Sequence, residues 1–266
     1  MSRYRDAVVV VSGAGSGIGR ELCLLLGRQG ARVVLTGRRQ ERLHAVREAI
    51  AGGGGTAHVA VCDVSDAQQV QKWCASILRT SGAVDVLVNN AGRGAYGRFE
   101  NVALEDHDAV IDTNLRGVIH TTHAMLPSML ERGKGQLVYV SSVLGALPAP
   151  EHAVYGATKF AVNAFAENLA YELSGRGIYI TVVAPGLVNS EFSATSGTPM
   201  ARFANLPSKS AVDSAIGVMR AMTRSRRLTV DDHLSAVAIR VRRHTPTLFR
   251  WIFHRAFSKL RRRGAK

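Results

Sequence analysis

Six short runs of the chain are apolar on consecutive residues rather than on alternate ones: AVVVVS (7–12), ARVVLT (31–36), TAHVAV (56–61), VDVLVN (84–89), GQLVYV (135–140) and IYITVV (178–183). A strand with one face in water alternates apolar and polar side chains. A strand covered on both faces does not, and strands covered on both faces belong to parallel sheets whose crossovers are helices. The intervening segments, such as RELCLLLGRQG, ERLHAVREAIAGGGG and DAQQVQKWCASILRTSG, have helical periodicity and stop near glycine. Strand–helix–strand repetition over nearly 190 residues predicts an α/β, Rossmann-type doubly wound parallel sheet in a single domain. The glycine run at 51–56 falls where a helix must turn back into a strand, so it reads as a loop. From Leu187 to about residue 215 the sequence turns polar and aperiodic, and is expected to form a mobile lid.

Charge divides the chain. The 266 residues carry a formal net charge of +14, and residues 220–266 hold 14 Lys/Arg against Asp231 and Asp232. The basicity therefore belongs to the C-terminal end. The expected organisation is an α/β domain over 1–230, including the lid, and a basic amphipathic, helical C-terminal extension over 231–266. No apolar run reaches the roughly 18 residues of a membrane span. The basic, apolar start passes directly into a glycine-rich loop and reads as a strand rather than a signal peptide. Cys23, Cys62 and Cys74 are odd in number and far apart, which fits a reducing, cytoplasmic compartment and no metal site.

SGAGSGIG (12–19) joins the first strand to the first helix, with glycines at Gly13, Gly17 and Gly19. Glycines admit a pyrophosphate close to the backbone, and a helix N-terminus offers free N–H groups and a positive dipole end. Gly13, Ser16, Gly17, Ile18 and Gly19 are thus expected to hold a dinucleotide. A carboxylate about 20 residues further on would bind the ribose hydroxyls of NAD. This chain has Gly37, Arg38 and Arg39 there, and a guanidinium matches a 2′-phosphate. The expected cofactor is NADP(H), held by Arg38 and Arg39, with Arg38, nearer the strand end, the one expected to make the contact.

VYGATKF (154–160) places Tyr155 and Lys159 four residues apart, one helical turn on one face. A free phenol has a pKa of about 10, too high for ready proton exchange near neutrality. A fixed ammonium nearby is expected to lower it.

Together the 13–19 loop, CDV at 62–64, NNAG at 89–92, Asn114, SS at 141–142, YGATK at 155–159 and PG at 185–186 resemble the short-chain dehydrogenase/reductase family, in family order over about residues 7–195. Ser142 lies 13 residues before Tyr155, the family spacing. The resemblance implies a catalytic tetrad of Asn114, Ser142, Tyr155 and Lys159 interconverting a carbonyl and an alcohol. Tyr155 would be the general acid or base. Lys159 would tune it and hold the nicotinamide ribose, Ser142 would bond the substrate oxygen, and Asn114 would support Lys159 through a water relay. Asp63 and Val64 would border the adenine. Asn90, Ala91 and Gly92 would run under the cofactor, joined by Pro185, Gly186 and Val188. Asn89 reads as turn chemistry. His120 and His123 read as surface residues. The family needs no catalytic metal, and none is expected.

VLGALPAP (143–150) would wall the substrate pocket, with Tyr96, Phe99, Phe192, Met200 and Phe203. Such a lining favours a lipophilic carbonyl or alcohol: a steroid, retinoid, long-chain aldehyde or ketolipid. The alternatives are a small polyol or sugar, with Val143 and Leu144 in the core instead, or an idle Rossmann binding protein. A homodimer or homotetramer through helices near 101–130 and 152–174 is implied by the resemblance. In 248–263, Phe249, Ile252, Phe253, Ala256, Phe257 and Leu260 share one helical face, with basic residues opposite or flanking. That pattern fits docking on an anionic membrane surface. It also fits packing on the enzyme or a partner subunit, and nucleic acid is not expected.

Overall fold

In a computed structural model the described residues are 3–198, 207–224 and 229–263, with side chains described to residue 255. They form two compact units, Met1–Asp231 and Asp232–Lys266.

In the first unit the strands are β1 (Val8–Ser12), β2 (Arg32–Gly37), β3 (Thr56–Val61), β4 (Val86–Asn89), β5 (Gly135–Val140), β6 (Ile178–Ala184), β7 (Leu187–Asn189), β8 (Ser208–Ser210) and β9 (Thr229–Val230). Seven of them make one sheet in the order β3-β2-β1-β4-β5-β6-β9, and every pairing is parallel. The helices are α1 (Gly17–Arg28), α2 (Gln40–Gly52), α3 (Ala67–Ser81), α4 (Leu104–Ile111), α5 (Gly117–Glu131), α6 (Ala153–Glu172), α7 (Glu191–Thr195) and α8 (Ala211–Arg224). This is the doubly wound α/β fold expected from the apolar runs.

Those runs are non-alternating because the sheet is covered twice. On one side Val9, Val11, Val33 and Leu35 share a core with Leu22 and Leu26 of α1, Val46 and Ile50 of α2, and Val218 and Met222 of α8. On the other, Val8, Val10, Leu87 and Leu137 meet Trp73 of α3, Met125 and Met129 of α5, and Val162 and Leu169 of α6. Each fully buried side chain of this size contributes about 1.5–3 kcal/mol of transfer free energy. β3 departs from the expectation. It is the sheet edge, and Thr56, His58 and Val61 are exposed.

Strand order reverses between β1 and β4. The C-terminal ends of these two strands therefore open a crevice, the place where such sheets bind ligands. The described residues after Gly186 carry regular structure that the sequence pattern does not show: β7 pairs in parallel with β8, α7 follows β7 and α8 follows β8. Met200 and Phe203, expected in the lid, lie outside the described residues.

The second unit is a helix pair, α9 (His233–His244) and α10 (Pro246–Arg263), joined at Thr245. The Asp232 carboxylate caps α9 by accepting from the Ser235 N–H at 2.7 Å, and Pro246 opens α10 where its missing N–H costs nothing. The expected aromatic face divides. Phe249 and Phe253 stack on one another at 5.6 Å and are half-buried, while Leu248, Trp251 and Ile252 are exposed. The Arg255 guanidinium lies 4.8 Å from the Trp251 ring. The side chains of Ala256, Phe257 and Leu260 lie outside the described residues.

Candidate active site

The glycine loop folds at the end of β1, and its glycines are required by contact as well as by conformation. Gly13 and Gly17 have φ of +67° and +52°. A Cβ on Gly19 would stand 2.2 Å from the Gly13 carbonyl oxygen, and one on Gly13 would stand 2.9 Å from Ala91 Cα. Ser16 precedes α1 without capping it through its side chain. The first turn thus presents backbone N–H groups and a positive dipole end toward the crevice.

Asn90 is the tie between this loop and β4. Its amide donates to the Ser12 carbonyl at 2.9 Å and the Gly13 carbonyl at 3.3 Å. The Ser12 hydroxyl accepts from the Asn90 and Ala91 N–H groups, both at 3.0 Å. Sequence reasoning missed Ser12, which carries no signal beyond its place before Gly13. Asn89 is not turn chemistry. It ends β4, buried, and its side chain bonds Thr121 and Thr122 of α5.

Arg38 and Arg39 part at the end of β2. Arg38 lies 3.6 Å from the Asp63 carboxylate, and Arg39 donates to the Ser16 hydroxyl at 3.4 Å. Both are exposed at the crevice mouth. Arg39, not Arg38, touches the glycine loop. Val64 is buried against Gly117, and its carbonyl is bonded to His120 Nδ1 at 3.2 Å. The reading of His120 as a plain surface residue is therefore corrected: it is half-buried and fixes the segment next to Asp63. His123 is exposed as expected.

The tetrad positions converge from three elements, with Tyr155 and Lys159 both on α6. Asn114 sits in a π-helical turn, Asp112–Arg116, between α4 and α5. One extra residue per turn rotates its side chain inward, a common device at functional sites. Its carboxamide accepts from the Arg93 N–H at 2.8 Å, and donates to the Arg93 carbonyl at 2.9 Å and the Thr158 hydroxyl at 3.2 Å. Asn114 thereby clamps the chain just after Gly92. A Cβ on Gly92 would lie 3.5 Å from Asn114 Oδ1 and 3.9 Å from Lys159 Nζ, which shows how near the two groups are.

Ser142 follows β5 and caps a short 3₁₀ turn, accepting from the Leu144 N–H at 3.1 Å. The turn is pressed on α6: Ser141 donates to the Lys159 carbonyl, Asn163 to the Gly145 carbonyl, and a Cβ on Gly145 would collide with both elements. This packing sets the Ser142 hydroxyl where it pulls on the Tyr155 phenol and opposes the effect of its burial.

Lys159 is 5% exposed, and Nζ donates to the Val140 carbonyl at 3.0 Å. Burial lowers its pKa to about 8. Nζ lies 5.8 Å from the Tyr155 ring centroid. The expectation that Lys159 holds the phenol below its ordinary value is not met. Burial raises Tyr155 to about 12, and the smaller opposing pull comes from the Ser142 hydroxyl. At that value the phenol stays protonated through the neutral range.

Pro185 and Gly186 form the turn after β6. The Pro185 carbonyl accepts from the Val143 N–H, and the Gly186 N–H donates to the Asp231 carboxylate at 2.9 Å. Val188 is half-buried, its carbonyl bonded by Ser193. Asp231 also pairs with Lys209, so it holds the base of the β7–β8 segment in place. No sequence pattern around VDDH marks that role.

Around Tyr155 stand Phe192 at 5.8 Å and His152 at 6.3 Å, with Tyr96 edge-on to His152 at 5.1 Å. The Tyr96 hydroxyl donates to the Glu151 carboxylate, and Glu151 has φ +67°. Phe99 does not join them. It stacks on His107 and is exposed. Val143 is buried in place, whereas Leu144 is half-buried.

The positive-φ glycines, the backbone approaches that no Cβ would permit and the buried cation beside Gly92 fit a dinucleotide laid from Arg39 past α1 to Lys159. Among the described residues no three His, Cys, Asp or Glu side chains form a metal-binding group.

Residues 7–200 match the family model described as short chain dehydrogenase. An uncharacterized oxidoreductase of Staphylococcus epidermidis is 32% identical over 81% of this chain and 92% of its own length. Two solved structures superpose closely. A short chain dehydrogenase/reductase from Burkholderia phymatum in complex with NAD has a TM-score of 0.85 and 25% identity, covering 93% of this chain and 96% of that one. An alcohol dehydrogenase from Thermococcus sibiricus, complexed with 5-hydroxy-NADP, has a TM-score of 0.75 and 27% identity, covering 85% and 96%. The two bound dinucleotides differ at the 2′ position, so they leave the cofactor of this chain to its own arginines. The chain belongs to the short-chain dehydrogenase/reductase family of oxidoreductases.

Proposed function

We propose that this protein is an NADP(H)-dependent oxidoreductase that interconverts a lipophilic carbonyl and its alcohol, with Asn114, Ser142, Tyr155 and Lys159 as its tetrad. The observation that carries the reading is the buried Lys159, its Nζ held by the Val140 carbonyl 5.8 Å from the Tyr155 ring centroid. Gly13, Gly17 and Gly19 would hold the pyrophosphate of the dinucleotide, whose nicotinamide would supply or accept the hydride. Ser142 hydrogen-bonds the substrate oxygen. Tyr155 Oη gives that oxygen its proton in reduction and takes it back in oxidation. The Lys159 ammonium stabilises charge on the phenolate as the proton leaves, and donates to the ribose hydroxyls. Asn114 keeps the chain after Gly92 in place through the Arg93 backbone. Arg38 and Arg39 face the 2′-phosphate.

The aromatic surround of Tyr155, continued by Leu144 and Leu147, supports a lipophilic substrate. A second reading, a small polar substrate, is favoured by one observation: Tyr96, which packs on His152 beside Tyr155, holds the Glu151 carboxylate. Exposed Leu104, Ile119, Phe160 and Tyr171 on α4–α6 support a homo-oligomer through those helices. For the C-terminal unit we propose docking on an anionic membrane surface. Residues 232–266 hold ten Lys/Arg and one acid. Each basic residue near such a surface is worth about 1 kcal/mol. No helix among the described residues is long and apolar enough to cross a membrane. Peripheral contact from a cytoplasmic enzyme is the mode proposed.

The test is turnover of a panel of cyclic ketones, steroids, long-chain aldehydes and polyols with NADPH and with NADH. The reading expects lipophilic carbonyls to be reduced and NADPH to be favoured about tenfold or more in kcat/KM, the scale of one charge-assisted hydrogen bond. Preference for NADH overturns the cofactor, turnover of polyols alone overturns the substrate class, and no turnover at all favours an idle binding protein.

A further inference from the structure

The segment after β7 brings a carboxylate into the arginine cluster at the mouth of the glycine loop. Glu191, the first residue of α7, forms an ion pair with Arg42 of α2. Arg42, and at longer range Arg20 and Arg39, hold its carboxyl below the ordinary value. Its neighbour Ser190 faces Gly17, with its Cβ 3.8 Å from where a Cβ on Gly17 would stand. Arg42 Cβ lies 3.2 Å from the corresponding point on Gly15, and Arg39 bonds Ser16. Three consecutive loop residues, 15 to 17, are thus ringed by Arg42, Arg39 and Ser190, with the Glu191 carboxylate among the guanidinium groups. Arg42 and Glu191 side chains are 39% and 47% exposed. Pairs that exposed add little to fold stability. A negative charge at this place does bear directly on any anion bound there.

We propose that Glu191 is an internal stand-in for the 2′-phosphate: it competes with that phosphate for Arg42 and so sets how strongly the chain discriminates NADP(H) from NAD(H). The inference rests on the NADP(H) reading above and adds two residues to it, Arg42 as a phosphate contact and Glu191 as its antagonist. Arg42 is paired with Glu191 until a phosphate takes it. Removing the carboxylate frees one guanidinium and removes one like-charge repulsion. The 2′-phosphate gains from both, whereas a bare ribose gains little.

The probes are 2′,5′-ADP, which carries the 2′-phosphate, and ADP, which lacks it, titrated calorimetrically into the full chain. Glu191→Gln is expected to tighten 2′,5′-ADP about two- to fivefold and ADP less than about 1.5-fold, the range for charges this exposed. Arg42→Ala is expected to weaken 2′,5′-ADP, and in that background Glu191→Gln is expected to lose most of its effect. Equal tightening of both probes, no change in either, or an undiminished Glu191→Gln effect without Arg42 each overturn the proposal. A parent that binds both probes alike counts against the NADP(H) reading, while the shift in their ratio on Glu191→Gln decides the role of Glu191 by itself.

Discussion

Replacing Gly19 with alanine asks whether the glycine loop is held by contact or merely tolerates small residues. The added Cβ would stand 2.2 Å from the Gly13 carbonyl oxygen and 2.5 Å from Asn90 Nδ2. The first is backbone. The second is already committed, because Nδ2 bonds the Ser12 carbonyl at 2.9 Å. Restoring ordinary contact requires roughly an ångström of movement in a loop whose N–H groups are proposed to meet a pyrophosphate. Overpacking of this kind costs about 1–3 kcal/mol, or about 5- to 150-fold in dinucleotide affinity if the strain is relieved by displacing the loop. Gly52→Ala is the control. Gly52 ends α2 with nothing within 4 Å of a Cβ, so alanine there should raise stability by up to about 1 kcal/mol and leave affinity unchanged. NADPH fluorescence titration and a thermal melt on both variants provide the comparison. A Gly19→Ala protein that binds NADPH as the parent does, with an unchanged melt, would refute the contact argument.

Other outcomes follow from the same geometry. Arg38→Ala and Arg39→Ala should each weaken NADPH more than NADH in titrations, by up to about tenfold given their exposure; equal losses for both cofactors would remove the 2′-phosphate assignment. Lys159 has a folded pKa of about 8, below its unfolded value, so the unfolded chain binds more protons between about pH 8 and 10.5. Stability of the parent relative to Lys159→Met should therefore rise with pH across that window, by about 3 kcal/mol at most, and denaturation at pH 7 and pH 10 would detect it; a flat or falling difference contradicts a buried ammonium. The reductase rate should fall as pH rises through about 8, where the ammonium is lost. Trp73 is buried and Trp251 exposed, so anionic vesicles should shift the tryptophan emission to the blue and Trp251→Leu should abolish the shift, while salt weakens binding; no shift with anionic vesicles ends the membrane proposal.

What was legible in the sequence was whatever depends on pattern along the chain. The strands were readable because Val8–Val11 and Leu137–Val140 are buried on both faces, and β3 misled because an edge position is a property of sheet order. Tyr155 and Lys159 were readable because one helical turn sets their spacing. Roles created by packing were hidden. Asn89 and His120 bond elements 30 and more residues away, and Asp231 reaches Gly186 across 45 residues. The direction of the Tyr155 shift was missed for the same reason. Spacing places the ammonium nearby, but the desolvation that outweighs it comes from the surrounding fold. Arg42 and Glu191 are 149 residues apart, and nothing in either local sequence announces the other.

The most direct test of the central claim is a single-turnover measurement of bound NADPH mixed with a lipophilic ketone, comparing the parent with Tyr155→Phe. The phenylalanine variant keeps the ring and loses only the transferable proton. Titration should show that it binds NADPH within about twofold of the parent, since the ring beside Lys159 is kept. Loss of nicotinamide fluorescence on ketone addition should be slower by about 10²-fold or more, the contribution of a positioned general acid. A Tyr155→Phe protein that oxidises NADPH at close to the parent rate would contradict the account.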